Sequence, residues 1–170
     1  MSERRHPNVA NVAEVESMEL SEGSNFGARI RGVGRAAGSV RLGGNVVEVP
    51  PGRSAFPCHY HCGLEEAIFV LDGVGRVRIG KDEVEVRAGD WISFPIGPEY
   101  AHRLDNTGDE PLHYLCISDR NTADVVGYPD SGKILASASG SHDFFKPPWV
   151  RAIFKEGTEV GYYDGEETGE

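Results

Sequence analysis

The stretch Gly52-Arg-Ser-Ala-Phe-Pro-Cys-His-Tyr-His-Cys-Gly-Leu-Glu-Glu-Ala-Ile-Phe-Val-Leu-Asp-Gly73 decides how the rest of the chain is read. His59 and His61 stand one residue apart in it, and the pair Glu65–Glu66 follows at short range. Side chains of an extended strand alternate between faces. The two imidazoles therefore share one face, with Cα atoms about 6.6 Å apart. At that spacing both can reach one cation at an N–metal distance of about 2.0–2.1 Å. Either glutamate could add a carboxylate. Glu66, Ile68 and Val70 share one strand face, Glu65, Ala67 and Phe69 the other, and the loop Cys62-Gly63-Leu64 can reset the parity between them and the histidines.

Downstream the rhythm is that of short strands and tight turns. Strands are predicted at Ala67–Leu71, Arg76–Ile79, Glu83–Arg87, Trp91–Phe94, Ala101–Asp105 and Leu112–Ser118. Glycine- and aspartate-containing turns separate most of them, and Pro95–Tyr100 forms a loop. This recurrence, with no amphipathic helix in between, is the pattern of an all-β sandwich or barrel. The 22 glycines agree with it, because many short strands need many turns. Upstream, strands are predicted at Glu14–Leu20 and Phe26–Gly34. Two more, Gly38–Leu42 and Asn45–Val49, are expected on either side of Gly43-Gly44. After Ser118 the texture changes. Residues 120–126 read as a helical turn, 137–142 as a small polar loop, and Trp149–Lys155 and Thr158–Tyr163 as two late strands.

The hairpin ladder can fold back and bring a third imidazole, His102, beside His59 and His61. Three histidines and one carboxylate suit one divalent first-row transition ion, with Fe, Mn, Zn, Ni, Co or Cu all compatible. Six-coordinate geometry would leave two positions for substrate, water or O₂. Ile68 and Val70, at period 2 after Glu66, and Leu104, at period 2 after His102, would form an apolar substrate-pocket wall, with His113 a further lining candidate. Cys58 points away from His59 and His61 by strand parity, which disfavours a Cys/His zinc site. Ser141, His142 and Asp143 are adjacent in a loop, where side chains diverge, so they do not read as a hydrolytic triad.

At this point the residues carry a resemblance. Gly52…His59-Tyr-His61-(four residues)-Glu66-(six residues)-Gly73 resembles the first motif of the cupin superfamily, and Gly89-(five residues)-Pro95-Ile-Gly97…His102-(three residues)-Asn106 resembles the second. The similarity covers residues 45–118. It implies a double-stranded β-helix, the jelly-roll-like cupin barrel, often dimeric, with metal ligands His59, His61, Glu66 and His102. The choice of Glu66 over Glu65 comes from that motif spacing. Two departures stand out. Six residues rather than five separate Gly52 from His59, and four rather than two separate Gly97 from His102. Both fall in loops, where insertions are tolerated. The wider layout, including Tyr128–Lys133 and Tyr162–Glu166, is similar to small single-domain bacterial cupins with no settled activity. One domain is expected over residues 1–170, with an arm at 1–44 and an extension at 119–170.

Charge narrows the partners. Seventeen Lys and Arg against 27 Asp and Glu leave a net charge of −10. That opposes binding to nucleic acid or to an anionic membrane, which needs basic surface. The longest apolar run is too short to span a bilayer, and three irregularly spaced cysteines do not form a disulfide framework. The expected protein is cytoplasmic and acts on a small molecule, with dioxygenase-like oxidation ranked first. Isomerase or lyase chemistry, or non-catalytic binding and sensing, stand behind it. An apolar outer sheet face carrying Phe69 and Leu71 suggests a homodimer.

Overall fold

A computed structural model of the chain describes residues 6–142, 146–167 and 169. Thirteen strands run through the described residues: β1 (Ser17–Glu22), β2 (Phe26–Arg31), β3 (Leu42–Val49), β4 (Tyr60–His61), β5 (Glu66–Asp72), β6 (Val74–Ile79), β7 (Asp82–Arg87), β8 (Trp91–Phe94), β9 (His102–Asn106), β10 (Leu112–Asp119), β11 (Ala123–Tyr128), β12 (Lys133–Ala138) and β13 (Val150–Lys155). They form three antiparallel sheets, ordered β1-β2-β3-β10-β5-β8, β7-β6-β9 and β13-β12-β11-β4. This is the double-stranded β-helix architecture. Among the described residues no helix is long and apolar enough to cross a membrane.

Alternation builds the core. Ile68 and Val70 of β5, Leu112 and Tyr114 of β10, Val47 and Val49 of β3, and Val77 and Leu104 of the facing sheet are all buried. Each such apolar side chain contributes about 1.5–3 kcal/mol by leaving water. Among the described residues Asn106 is the most deeply buried of the polar and charged residues. Its Nδ2 donates to Val49 O and Glu110 O, both at 2.8 Å, and its Oδ1 accepts from Gly108 N at 2.9 Å. Every hydrogen-bonding atom of the amide is thereby used, and the turn after β9 is latched to β3. Gly80 closes the β6–β7 hairpin at φ +57°, where a Cβ would lie 2.6 Å from Glu99 O.

Several boundaries differ from the sequence reading. Leu42–Val49 is one strand running through Gly43-Gly44, not two strands flanking a turn. The glycines serve close approach, since a Cβ on Gly34 would sit 3.0 Å from Gly44 N and one on Gly43 would collide with Ser118 Oγ. The segment read as a helical turn at 120–126 is largely strand β11. Its pairing with β4 and β12 overrides weak local propensity. The polar segment at 137–142 begins inside β12. Thr158–Tyr163 forms no strand, and β13 is the last one among the described residues. Asp143 lies outside the described residues.

Candidate metal centre

Three separate parts of the chain converge at one end of the barrel. His59 and His102 face each other across an antiparallel bridge, with His59 N donating to His102 O at 3.1 Å and His102 N to His59 O at 2.8 Å. That pairing sets their rings 4.6 Å apart, centroid to centroid. His61 lies in β4, which is held between β11 and the loop before β9. Val126 is its ladder partner, and Gly97 N donates to His61 O at 3.1 Å. Glu66 opens β5, paired with Phe94 and Ser118.

Glu66 Oε2 is the hub. It lies 3.3 Å from His102 Nε2, 3.6 Å from His61 Nε2 and 3.8 Å from His59 Nε2. The donor atoms of His59, His61 and Glu66 all fall within 4.8 Å of one another. His102 joins them through Glu66 and is held by a parallel stack on Phe94 at 3.6 Å. The strand register thus brings His59, His61, Glu66 and His102 together. Among the described residues the close group of possible ligand atoms, His59, His61 and Glu66, contains no thiol. Cys58 is buried elsewhere in the barrel, and all three thiols are free.

The second nitrogen of each imidazole fixes its tautomer. His59 Nδ1 contacts Pro57 O at 2.8 Å, His102 Nδ1 contacts Tyr100 O at 3.0 Å, and His61 Nδ1 contacts Asp124 Oδ2 at 2.6 Å. Carbonyl and carboxylate oxygens only accept, so Nδ1 carries the hydrogen in each ring. The neutral tautomer then turns its Nε2 lone pair toward Glu66. Three lone pairs and a carboxylate aimed at one another are balanced by a cation, either a proton or a metal ion. The pKa shifts express the same frustration. Burial draws His59 down to about 4, with the His102 charge acting in the same direction. Burial also opposes the charge on His61, but the hydrogen bonds it donates to Asp124 and Glu66 outweigh it and lift His61 to about 9. Burial would raise Glu66, yet contacts with His102 and His61 hold it well below the usual carboxylate range. A donor set of three imidazoles and one carboxylate, each imidazole fixed through its far nitrogen, fits a divalent transition ion.

A cavity of about 220 Å³ opens onto these residues. Ile68 and Leu104 line it, as do Phe56, Arg103, Tyr114 and Cys116. Val70 and His113 do not. Val70 is fully buried in the core, and His113 lies on the opposite face of β10, 3.6 Å from Glu48 Oε2. The physical reason is alternation along β10, which sends Leu112, Tyr114 and Cys116 one way and His113 the other. Sequence reasoning therefore missed Tyr114 and Cys116, although the same period-2 rule would have found them. It also missed Asp124, for which no local signal exists. Cys116 Sγ donates to Glu66 Oε1 at 3.1 Å, leaving Oε2 for the imidazoles. Larger hollows, such as one of about 770 Å³ against Tyr162 and Glu166, lie on open surface away from this chemistry.

The profile of the Cupin domain family matches residues 45–118. An uncharacterized protein of Methanocaldococcus jannaschii is 37% identical over 60 residues, a match spanning 35% of this chain and 46% of that relative. The chain therefore covers about half the length of the curated relative it matches. A provisionally assigned sugar phosphate isomerase from Acidithiobacillus ferrooxidans has a similar structure, with a TM-score of 0.78 and 24% identity over 91% of this chain and 96% of that one. A sugar phosphate isomerase from a cupin superfamily, of Silicibacter pomeroyi, follows, with a TM-score of 0.73 and 20% identity over 92% and 93% of the two chains. At these identities the likeness is one of fold.

Proposed function

We propose that this chain, whose residues 45–118 match the Cupin domain family, is a metal-dependent enzyme acting on a small organic molecule. His59, His61, Glu66 and His102 would hold one divalent transition ion beside the cavity that admits the substrate. One observation carries this reading: three imidazoles, each anchored through Nδ1 to an acceptor, point Nε2 at one carboxylate oxygen. When bound, the ion supplies a Lewis-acid centre that polarises a substrate oxygen. The protein's own groups do the rest. Asp124, Pro57 O and Tyr100 O orient the rings, Cys116 orients Glu66, and Phe56, Ile68 and Leu104 keep the cavity apolar and dry.

The remaining titratable groups of the cavity narrow the reaction class. Arg103 is tied to Asp105 through Nε at 2.8 Å and a second guanidinium nitrogen at 3.0 Å. Burial, with Glu66 nearby, holds both the Cys116 thiol and the Tyr114 phenol well above their ordinary pKa, so both stay protonated at neutral pH. None is a ready base for removing a proton from carbon. This favours dioxygenase-like oxidation, in which the ion carries most of the chemistry, as the first class to test. A second reading to test, isomerisation of a sugar phosphate, is the activity named for two proteins that share this fold. The free thiols support a cytoplasmic setting.

Metal content after reconstitution, compared between the wild type and a His59→Ala/His61→Ala double variant, tests the site. The wild type should retain about one ion per chain and the variant almost none. Equal retention would remove the metal reading. Oxygen uptake by the iron-loaded protein with catechols, diketones and thiols, run beside aldose–ketose phosphate interconversion, separates the two reactions. Tight ligand binding without turnover in either assay would make the protein a binder or sensor.

A further inference from the structure

We propose that Tyr114 positions the substrate, donating a hydrogen bond from its phenol to an oxygen of a small O,O-chelating molecule. This rests on the metal-dependent reading above and specifies what the cavity recognises beyond the ion.

Tyr114 is 2% exposed, and its ladder partners are Val47 and Val70, both deep in the core. A residue in that environment would ordinarily be Phe or Leu, because burying a hydroxyl is costly unless it is hydrogen-bonded. Among the described residues the Tyr114 hydroxyl makes no hydrogen bond, and its oxygen is not one of the fully enclosed polar atoms, so it keeps surface toward the cavity that Tyr114 lines. Other buried polar groups of the barrel are satisfied. Cys116, two residues along the same face of β10, donates to Glu66, and Asn106 uses all of its amide.

The unmatched hydroxyl is not sealed in the core. Tyr114 lines the cavity that also holds Glu66, His59, His61 and His102. A phenol is a hydrogen-bond donor, and none of the groups lining the cavity accepts from it. Ile68 and Leu104 offer only carbon, and Glu66 spends its oxygens on Cys116 and the imidazoles. The acceptor it fits must come from outside the chain. The cavity, at about 220 Å³, takes a molecule of a few heavy atoms, and its one guanidinium, Arg103, is already paired with Asp105. That composition suits an oxygen-rich chelator such as an α-hydroxy carbonyl, a hydroxamate or an enediol. A doubly charged phosphate would find no free cation among the cavity's side chains.

The test uses the full chain loaded with Co(II), titrated with acetohydroxamate and followed by visible absorption, in the wild type and in Tyr114→Phe. The variant should bind cobalt equally and show the same ligand-free spectrum, while its acetohydroxamate affinity drops about tenfold, the usual cost of one hydrogen bond to an anionic oxygen. Its thermal midpoint without metal should be unchanged or higher, since the lost hydroxyl had no partner in the protein. Equal acetohydroxamate affinity in the two proteins overturns the role of Tyr114 and leaves the metal reading intact. A midpoint lowered by several degrees overturns it too, because it would reveal a partner within the fold. Cobalt retention without acetohydroxamate binding in the wild type overturns both this proposal and substrate chelation, and failure to retain cobalt overturns the metal site itself.

Discussion

Replacing Asp124 by Asn should decouple metal binding from pH. Asp124 Oδ2 accepts from His61 Nδ1 at 2.6 Å, while Oδ1 accepts from Gly63 N at 2.8 Å. One carboxylate thus orients a proposed ligand and pins the loop that follows it, in which a Cβ on Gly63 would lie 2.8 Å from Ala123 O. With the ion removed, His61 titrates at about 9, because its contacts with Asp124 and Glu66 outweigh burial. A metal ion must displace that proton, since only the neutral ring offers a lone pair. At pH 7.5 the wild type should release close to one proton from His61 per ion bound, and its apparent affinity should rise about tenfold per pH unit up to about pH 9. His59, at about 4, adds nothing in that range. Asn has one acceptor oxygen for two donors and carries no charge, so burial then pulls the His61 pKa down. Proton release at pH 7.5 should shrink to a fraction, and the slope should flatten. Losing the charged partner also weakens intrinsic affinity by about ten- to a hundredfold. That loss shows at high pH, where no proton competes. Calorimetric titration with Mn(II) or Co(II), in buffers of differing ionisation enthalpy, reads both quantities. Identical proton release in the wild type and in Asp124→Asn would refute the assigned role of Asp124.

Two further outcomes are expected. The stability of the metal-free protein should peak near pH 6.5. Above that, folded His61 keeps its proton up to about 9 while the unfolded ring loses it near 6.5, so stability falls as pH rises. Below it, the unfolded ring of His59 takes up a proton that the folded ring refuses until about 4, so stability falls again. Saturating metal should flatten the alkaline limb, and a thermal melt series from pH 4.5 to 9 with and without Co(II) would expose a monotonic profile if this is wrong. The outer sheet face, where Phe69 packs near Trp91 with ring centroids 6.5 Å apart and Leu71 and Trp91 are 44% and 57% exposed, is the proposed contact with a second copy. Light scattering should give a dimer for the wild type and a monomer for Trp91→Glu, and a monomeric wild type would remove the expectation.

The legible parts of this chain are those governed by short-range periodicity. Alternation marked β5 to β10, and β8 was read to the residue as Trp91–Phe94. Where glycines or polar residues interrupted the pattern, the reading slipped. Gly43-Gly44 looked like a turn because their role, close packing against Gly34 and Ser118, depends on residues far away in sequence. Residues 120–126 looked helical because the strand they form is specified by its neighbours β4 and β12. His113 attracted notice as a histidine near the site, yet one step of parity along β10 takes it out of the cavity and puts Tyr114 and Cys116 in.

By itself the sequence determined an all-β barrel and nominated His59, His61, Glu66 and His102, because period-2 alternation and the motif spacing are local properties of the chain. Only the tertiary structure decided which groups hold those four in place. Asp124 is 63 residues from His61, and Cys116 is 50 from Glu66. The unpartnered hydroxyl of Tyr114 becomes visible only when every neighbour across the cavity is known. Hydrogen-bond partners and buried acceptors are set by strand register between distant segments, and no short window of sequence carries that register.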